Sequence, residues 1–137
     1  MNPPVTLDAS VFVSAFTPSE PAHEASKLFM LGVRDQSTPI IVPVLVLPEV
    51  SAALSRGQGK PELGKAFVQQ LRNLPNTTFV SVDEGIANLA VDVAADHRLR
   101  GSDAIYAAVA LRFGTELITL DKEQLDRLQR VLSVHTP

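Results

Sequence analysis

Val5 to Phe16 reads VTLDASVFVSAF: a short β-type run, a lone carboxylate at Asp8, then apolar residues suited to a buried helix from Ser10 to Phe16. Strand, acid and helix in that order place Asp8 at the carboxyl end of the strand. In open parallel α/β sheets, ligands bind outside those ends. Further along, the pattern repeats. His23 to Arg34 predicts a helix with Ala25, Leu28, Phe29 and Gly32 on one face, and Pro39 to Pro43 predicts a strand bounded by prolines. Leu45 to Arg56 follows as a helix and Arg56 to Pro61 as a loop marked by its glycines and proline. Glu62 to Leu74 is an amphipathic helix carrying Leu63, Ala66, Phe67, Gln70 and Leu71.

Thr77 to Val82 alternates and is rich in β-branched residues, as a third strand would be. Asp83 suits the N-cap of a helix in which Ile86, Leu89, Ala90, Val93 and Ala94 share a face. Ser102 is expected to cap the next helix, which Gly114 ends. Leu117 to Leu120 is a fourth strand, Lys122 to Arg130 a short helix, and Val131 to Val134 offers a fifth strand. Strands alternating with helices, without an Asn-Gly hairpin signal, predict an α/β sandwich with a mainly parallel central sheet. No repeat, linker or low-complexity segment divides residues 1–137, so one domain is expected.

The chain has 137 residues, 45% hydrophobic and 20% charged, which is ordinary for a globular protein with one core. The absence of cysteine excludes disulfides, thiolate metal sites and cysteine nucleophiles. The amino terminus has no basic n-region or long apolar h-region, and no apolar run reaches the roughly 18 residues that span a bilayer. A cytoplasmic location without membrane insertion is expected. The formal net charge of −3 looks wrong for a nucleic-acid partner, yet removing four acids committed to a cation leaves the remainder at +1.

Three acids are out of place. Asp8 is the only charged side chain among residues 1–19, Glu49 the only one from Gln36 to Ser55, and Asp103 the only one from Gly101 to Leu111. A buried carboxylate must be protonated, hydrogen-bonded, paired or bound to metal. Asp8 as an N-cap, or Asp103 in a helix's first turn, would be the plain structural alternatives. If Asp8 and Asp121, which follows LITL, share one edge of a parallel sheet, the helices bearing Glu49 and Asp103 can begin at that edge too. Two carboxylates about 4 Å apart repel by roughly 4 kcal/mol at an effective dielectric near 20, so four together call for a cation. All-oxygen ligation suits Mg²⁺ or Mn²⁺, which activate water and bridge carboxylates to phosphate. Phosphodiester hydrolysis is the chemistry that such an inventory serves best.

With these motifs assembled, the sequence resembles the PIN-domain family of nucleases, and most closely its VapC-type toxin branch. The resemblance spans essentially the whole chain. It rests on LDASVFVSAF with Asp8 and Ser10, VLPEVSAAL with Glu49, RGSDAIYAAVA with Asp103, and LITLDKEQL with Thr119 and Asp121. It implies a PIN-like three-layer sandwich, a Mg²⁺- or Mn²⁺-dependent endoribonuclease, and a homodimer inhibited by a small antitoxin encoded nearby. Carried over by position, Asp8 and Asp103 are the main metal ligands, Glu49 and Asp121 complete the acidic site, and Ser10 and Thr119 support it by hydrogen bonding. There is one departure. Many relatives carry another acid three residues after the fourth motif position, then an aromatic residue, where this chain has Gln124 and Leu125. The alternative is a catalytically inactive PIN-like module that binds RNA or protein.

Other features weigh less. GQGKPELG lacks the Gly-Lys-Ser/Thr ending of a phosphate loop, and Ser10 and Ser14 lack the nucleophile-elbow context. His23, His97 and His135 show no metal-binding spacing. Arg98 and Arg100, just ahead of Asp103, are candidates to hold RNA phosphates. With Tyr106 the one tyrosine and no tryptophan, an aromatic platform for stacking bases is not expected.

Overall fold

In a computed structural model that describes residues 2–137, β1 (Val5–Leu7), β2 (Ile40–Pro43), β3 (Thr77–Val80), β4 (Glu116–Ile118) and β5 (Val134–His135) form one sheet. Their order is β3-β2-β1-β4-β5 and every pairing is parallel. Between the strands run α1 (Ala9–Phe16), α2 (His23–Asp35), α3 (Val46–Gln58), α4 (Pro61–Arg72), α5 (Glu84–His97), α6 (Gly101–Phe113) and α7 (Lys122–Leu128). The result is the predicted three-layer α/β sandwich. Among the described residues no helix is long and apolar enough to cross a membrane.

The chain builds outward from β1 through β2 to β3, then returns to lay β4 on the other side of β1. Right-handed crossovers in opposite directions put their helices on opposite faces of the sheet and leave a crevice between β1 and β4 at their carboxyl ends. β1 is fully covered, as a central parallel strand must be. On one face of it lies α6, whose Ala104, Tyr106, Ala107, Ala108, Val109 and Ala110 are all buried and which packs against β1, β2 and β4.

Several local expectations need correction. In α2 the buried side carries Ser26, with Phe29, Met30 and Val33 partly covered, while Ala25 and Leu28 are exposed. In α4 the buried residues are Gly64, Phe67 and Leu71, whereas Leu63, Ala66 and Gln70 face solvent. Both helices are rotated from the predicted face because the neighbouring helix decides which side is covered. The expected 56–61 loop shrinks to Gly59 and Lys60: α3 continues through Gly57, and Gly59 turns the chain at φ +65°, a conformation that costs glycine least.

Asp83 does cap α5, accepting from the Ile86 N–H at 2.9 Å. Ser102 does not cap α6, because the extended backbone of Arg100 starts that helix before it and leaves Ser102 inside the first turn. Gly114 ends α6 at φ +66° as expected. The last strand is Val134–His135, since the Leu128 carbonyl still holds the N–H groups of Val131 and Leu132 in a turn.

Candidate metal and phosphodiester site

Asp8 directly follows β1 and precedes α1, and its N–H donates to the Ile118 carbonyl of β4, which joins the two strand ends at the crevice. The residue is 7% exposed, and its carboxylate Oδ2 accepts from the Ser10 hydroxyl at 2.7 Å and the Thr119 hydroxyl at 2.9 Å. Each hydroxyl has a second task. Ser10 Oγ accepts the Leu120 N–H and Thr119 Oγ1 the Asp121 N–H, so the loop after β4 is tied to Asp8 through both.

The other three acids reach this crevice from helix beginnings. Glu49 stands in the first turn of α3, where Pro48 is tolerated because N–H groups there have no intrahelical acceptor. Asp103 occupies the first turn of α6, and Asp121 caps α7 by accepting the Gln124 N–H at 3.0 Å. Asp8, Glu49, Asp103 and Asp121 line one cavity of about 550 Å³, together with Ser10, Arg56 and Arg100. An apolar hollow of about 560 Å³ between α1, α2 and the loop before β3 has no acid in its lining.

Burial raises the pKa of Asp8, and repulsion from Asp121 adds to it, against the lowering effect of its hydrogen bonds. Glu49 is raised by burial and by Asp8 and Asp103, although the Tyr106 hydroxyl, donating to Oε1 at 2.5 Å, pulls it back. Asp103 is raised chiefly by burial, opposed by Arg100. The same burial, with Glu49 beside it, pushes the Tyr106 hydroxyl far up, so it stays a donor.

Arg100 turns inward rather than outward. Its Nε donates to Asp103 at 3.0 Å and its Nη2 to Asp121 at 2.7 Å, while the side chain remains two-thirds exposed. Arg98 is not brought to the cavity; it ends α5 in a left-handed conformation, and its carbonyl accepts from Arg127. Tyr106 was not anticipated as a site neighbour, although it lies three residues beyond Asp103 on one helix face, a spacing readable in advance. Gln124 was marked as standing where many relatives carry an acid, but its reach to Asp103 and Asp8 had no local signal.

Among the described residues no group of three or more His, Cys, Asp or Glu side chains already stands in metal-holding geometry. Nitrogen donors of Arg100 and Gln124 occupy oxygens of Asp8, Asp103 and Asp121 instead. The donor set still fits a hard divalent cation: four carboxylates around one cavity, three of them desolvated and repelling one another, with no thiolate or imidazole in the lining.

Solved structures with this fold include a toxin–antitoxin complex from Klebsiella pneumoniae, with 16% identity, 97% of each chain covered and a TM-score of 0.69. Another is the sarcin-ricin-loop-cleaving toxin VapC20 of Mycobacterium tuberculosis, at 18% identity over 86% of this chain and 90% of that one, TM-score 0.70. A third is VapBC2 of Rickettsia felis bound to a promoter DNA fragment, at 12% identity over 98% of both chains, TM-score 0.73. No curated protein sequence matches the chain. The sequence model of the PIN domain matches residues 5–131, a span that starts at β1 and takes in Asp8, Glu49, Asp103 and Asp121, and the chain therefore belongs to the PIN domain family.

Proposed function

We propose that this chain is a Mg²⁺- or Mn²⁺-dependent endoribonuclease, the toxin of a toxin–antitoxin pair, with Asp8, Glu49, Asp103 and Asp121 as its acidic centre. One observation carries the reading: four acids from four distant segments line a single cavity at the β1–β4 crevice. Three of them are held there at raised pKa, a cost that metal binding would offset. Family membership, and fold likeness to proteins described as toxins, support the same class. RNA as substrate, a small cognate antitoxin as partner and a homodimer as the working unit are part of this proposal.

A bound divalent cation supplies a water of lowered pKa and neutralises charge that develops on the phosphate oxygens. The chain's own residues do the rest. Asp8 and Asp103 are the principal ligands, and Glu49 and Asp121 complete the set. Ser10 and Thr119 fix the Asp8 carboxylate from one side, and the Tyr106 hydroxyl fixes Glu49. Arg56, in the cavity lining, is the cation at hand for a substrate phosphate, and Arg100 joins it only once a bound ion has taken its place on Asp103 and Asp121. Arg98 has no such place.

Cleavage of total RNA by wild type, Asp8→Asn and Asp103→Asn, with Mn²⁺ and with chelator, tests the reading. Metal-dependent cutting by wild type and its loss by at least 100-fold in both folded variants are expected. Variants that cut as well as the parent would overturn the site assignment. A wild-type chain that neither cuts RNA nor binds Mn²⁺ would leave the inactive interaction module as the better account.

A further inference from the structure

Gln124 sits on α7, wholly buried, behind the acids and outside the cavity lining. Its amide nitrogen donates to Asp103 Oδ1 at 3.0 Å and lies 3.5 Å from Asp8 Oδ2. Its amide oxygen, equally buried, has no partner among the described residues. A buried amide normally pairs its oxygen as well as its nitrogen. Here the unpaired oxygen is the cost of aiming both N–H groups at two carboxylates, and reversing the amide would set an oxygen against two acceptors.

We propose that Gln124 is a positioning residue that stands, as a neutral donor, where a second cation would otherwise sit between Asp8 and Asp103, so that the acid cluster takes one divalent ion. The inference rests on the metal-dependent reading above. Asp8 Oδ2 already receives Ser10 and Thr119 as well as Gln124, which closes the interior side of the cluster to an ion. The cavity side differs. There, among the described residues, Asp103 Oδ2 and Asp121 Oδ2 are held only by Arg100, an exposed side chain free to withdraw when a cation arrives.

Calorimetric titration of Mn²⁺ into the full chain at neutral pH, with melting in chelator alongside, tests this. Wild type is expected to bind one ion per chain through the cluster, with the binding lost in Asp8→Asn. Gln124→Glu is expected to bind two, to melt about 5 °C lower without metal and to recover with Mn²⁺. Gln124→Met fills the same volume without an N–H and guards against a Glu variant that does not fold. Its metal-free melting temperature should also fall by about 5 °C, because Asp103 Oδ1 loses its donor and Asp8 Oδ2 one of three. Two ions in wild type, one ion in Gln124→Glu, or Gln124→Met melting like the parent would each overturn the role of Gln124 while leaving metal dependence standing. No Mn²⁺ binding by wild type would overturn the metal reading itself and this role with it.

Discussion

The Tyr106 hydroxyl stands 2.5 Å from Glu49 Oε1, in a side chain with no exposed surface. A charge-assisted bond of this kind contributes about 1.5–3 kcal/mol and fixes which way the carboxylate points. Tyr106→Phe should therefore keep its volume in the core, lose the hold on Glu49 and raise the Glu49 pKa further. Cleavage is expected to fall about 10–100-fold, the usual scale for removing a group that orients a metal ligand. Unchanged turnover and Mn²⁺ affinity in this variant would mean that Glu49 needs no orientation. Arg100 teaches the complementary point at the same scale. A cation predicted to face substrate is instead shared by two acids, since a guanidinium beside unpaired carboxylates finds them before any ligand does.

Helices α3 and α4 form an antiparallel pair joined by Gly59 and Lys60, and their approach is set at Gly64. A Cβ there would lie 2.6 Å from the Ser51 carbonyl oxygen and 2.3 Å from Ser55 Oγ. The serine hydroxyl can rotate away, but the backbone oxygen cannot. Gly64→Ala gains up to about 1 kcal/mol of helix propensity and forces α4 off α3 at a cost of about 1–3 kcal/mol, so a net loss is expected. Gly32→Ala is the control. Nothing among the described residues stands within 4 Å of a Cβ there, and the same change should stabilise α2 by about 0.5–1 kcal/mol. Chemical denaturation of both variants reads the difference, and equal effects would show that the α3–α4 distance is not set by Gly64.

Taken whole, the molecule carries its destabilising charge in one place. Asp8, Glu49 and Asp103 all have pKa values raised above the ordinary 3.8 and 4.5, so the folded chain takes up their protons more readily than the unfolded one. Their stabilising contribution is complete below those ordinary values and is lost as pH rises through the raised ones. In chelator the protein should melt higher at pH 5 than at pH 7.5, and Mn²⁺ at pH 7.5 should recover part of the difference. His135, raised by its bonds to Thr136 and Glu116, pushes in the same direction. Comparison with Asp8→Asn, which leaves His135 in place, isolates the cluster. A pH dependence as steep in that variant as in the parent would remove the acids as its cause.

Much of this was open to reading along the chain. Alternating strands and helices, Asp83 and Gly114 at helix ends, and four acids, three of them stranded among apolar neighbours, are local patterns, governed by backbone period and by the cost of burying charge. Even the meeting of Asp8 with Asp121 followed from strand ends in a parallel sheet. What the chain could not disclose depends on separation in space. The covered sides of α2 and α4 were settled by which helix lies against them, and the place where β5 begins by a turn at Leu128. Tyr106 meets Glu49 across 57 residues and Gln124 meets Asp8 across 116, contacts that no local pattern records. Residue identity along the chain decided which groups would be costly to bury; only the folded packing decided which neighbours would share that cost.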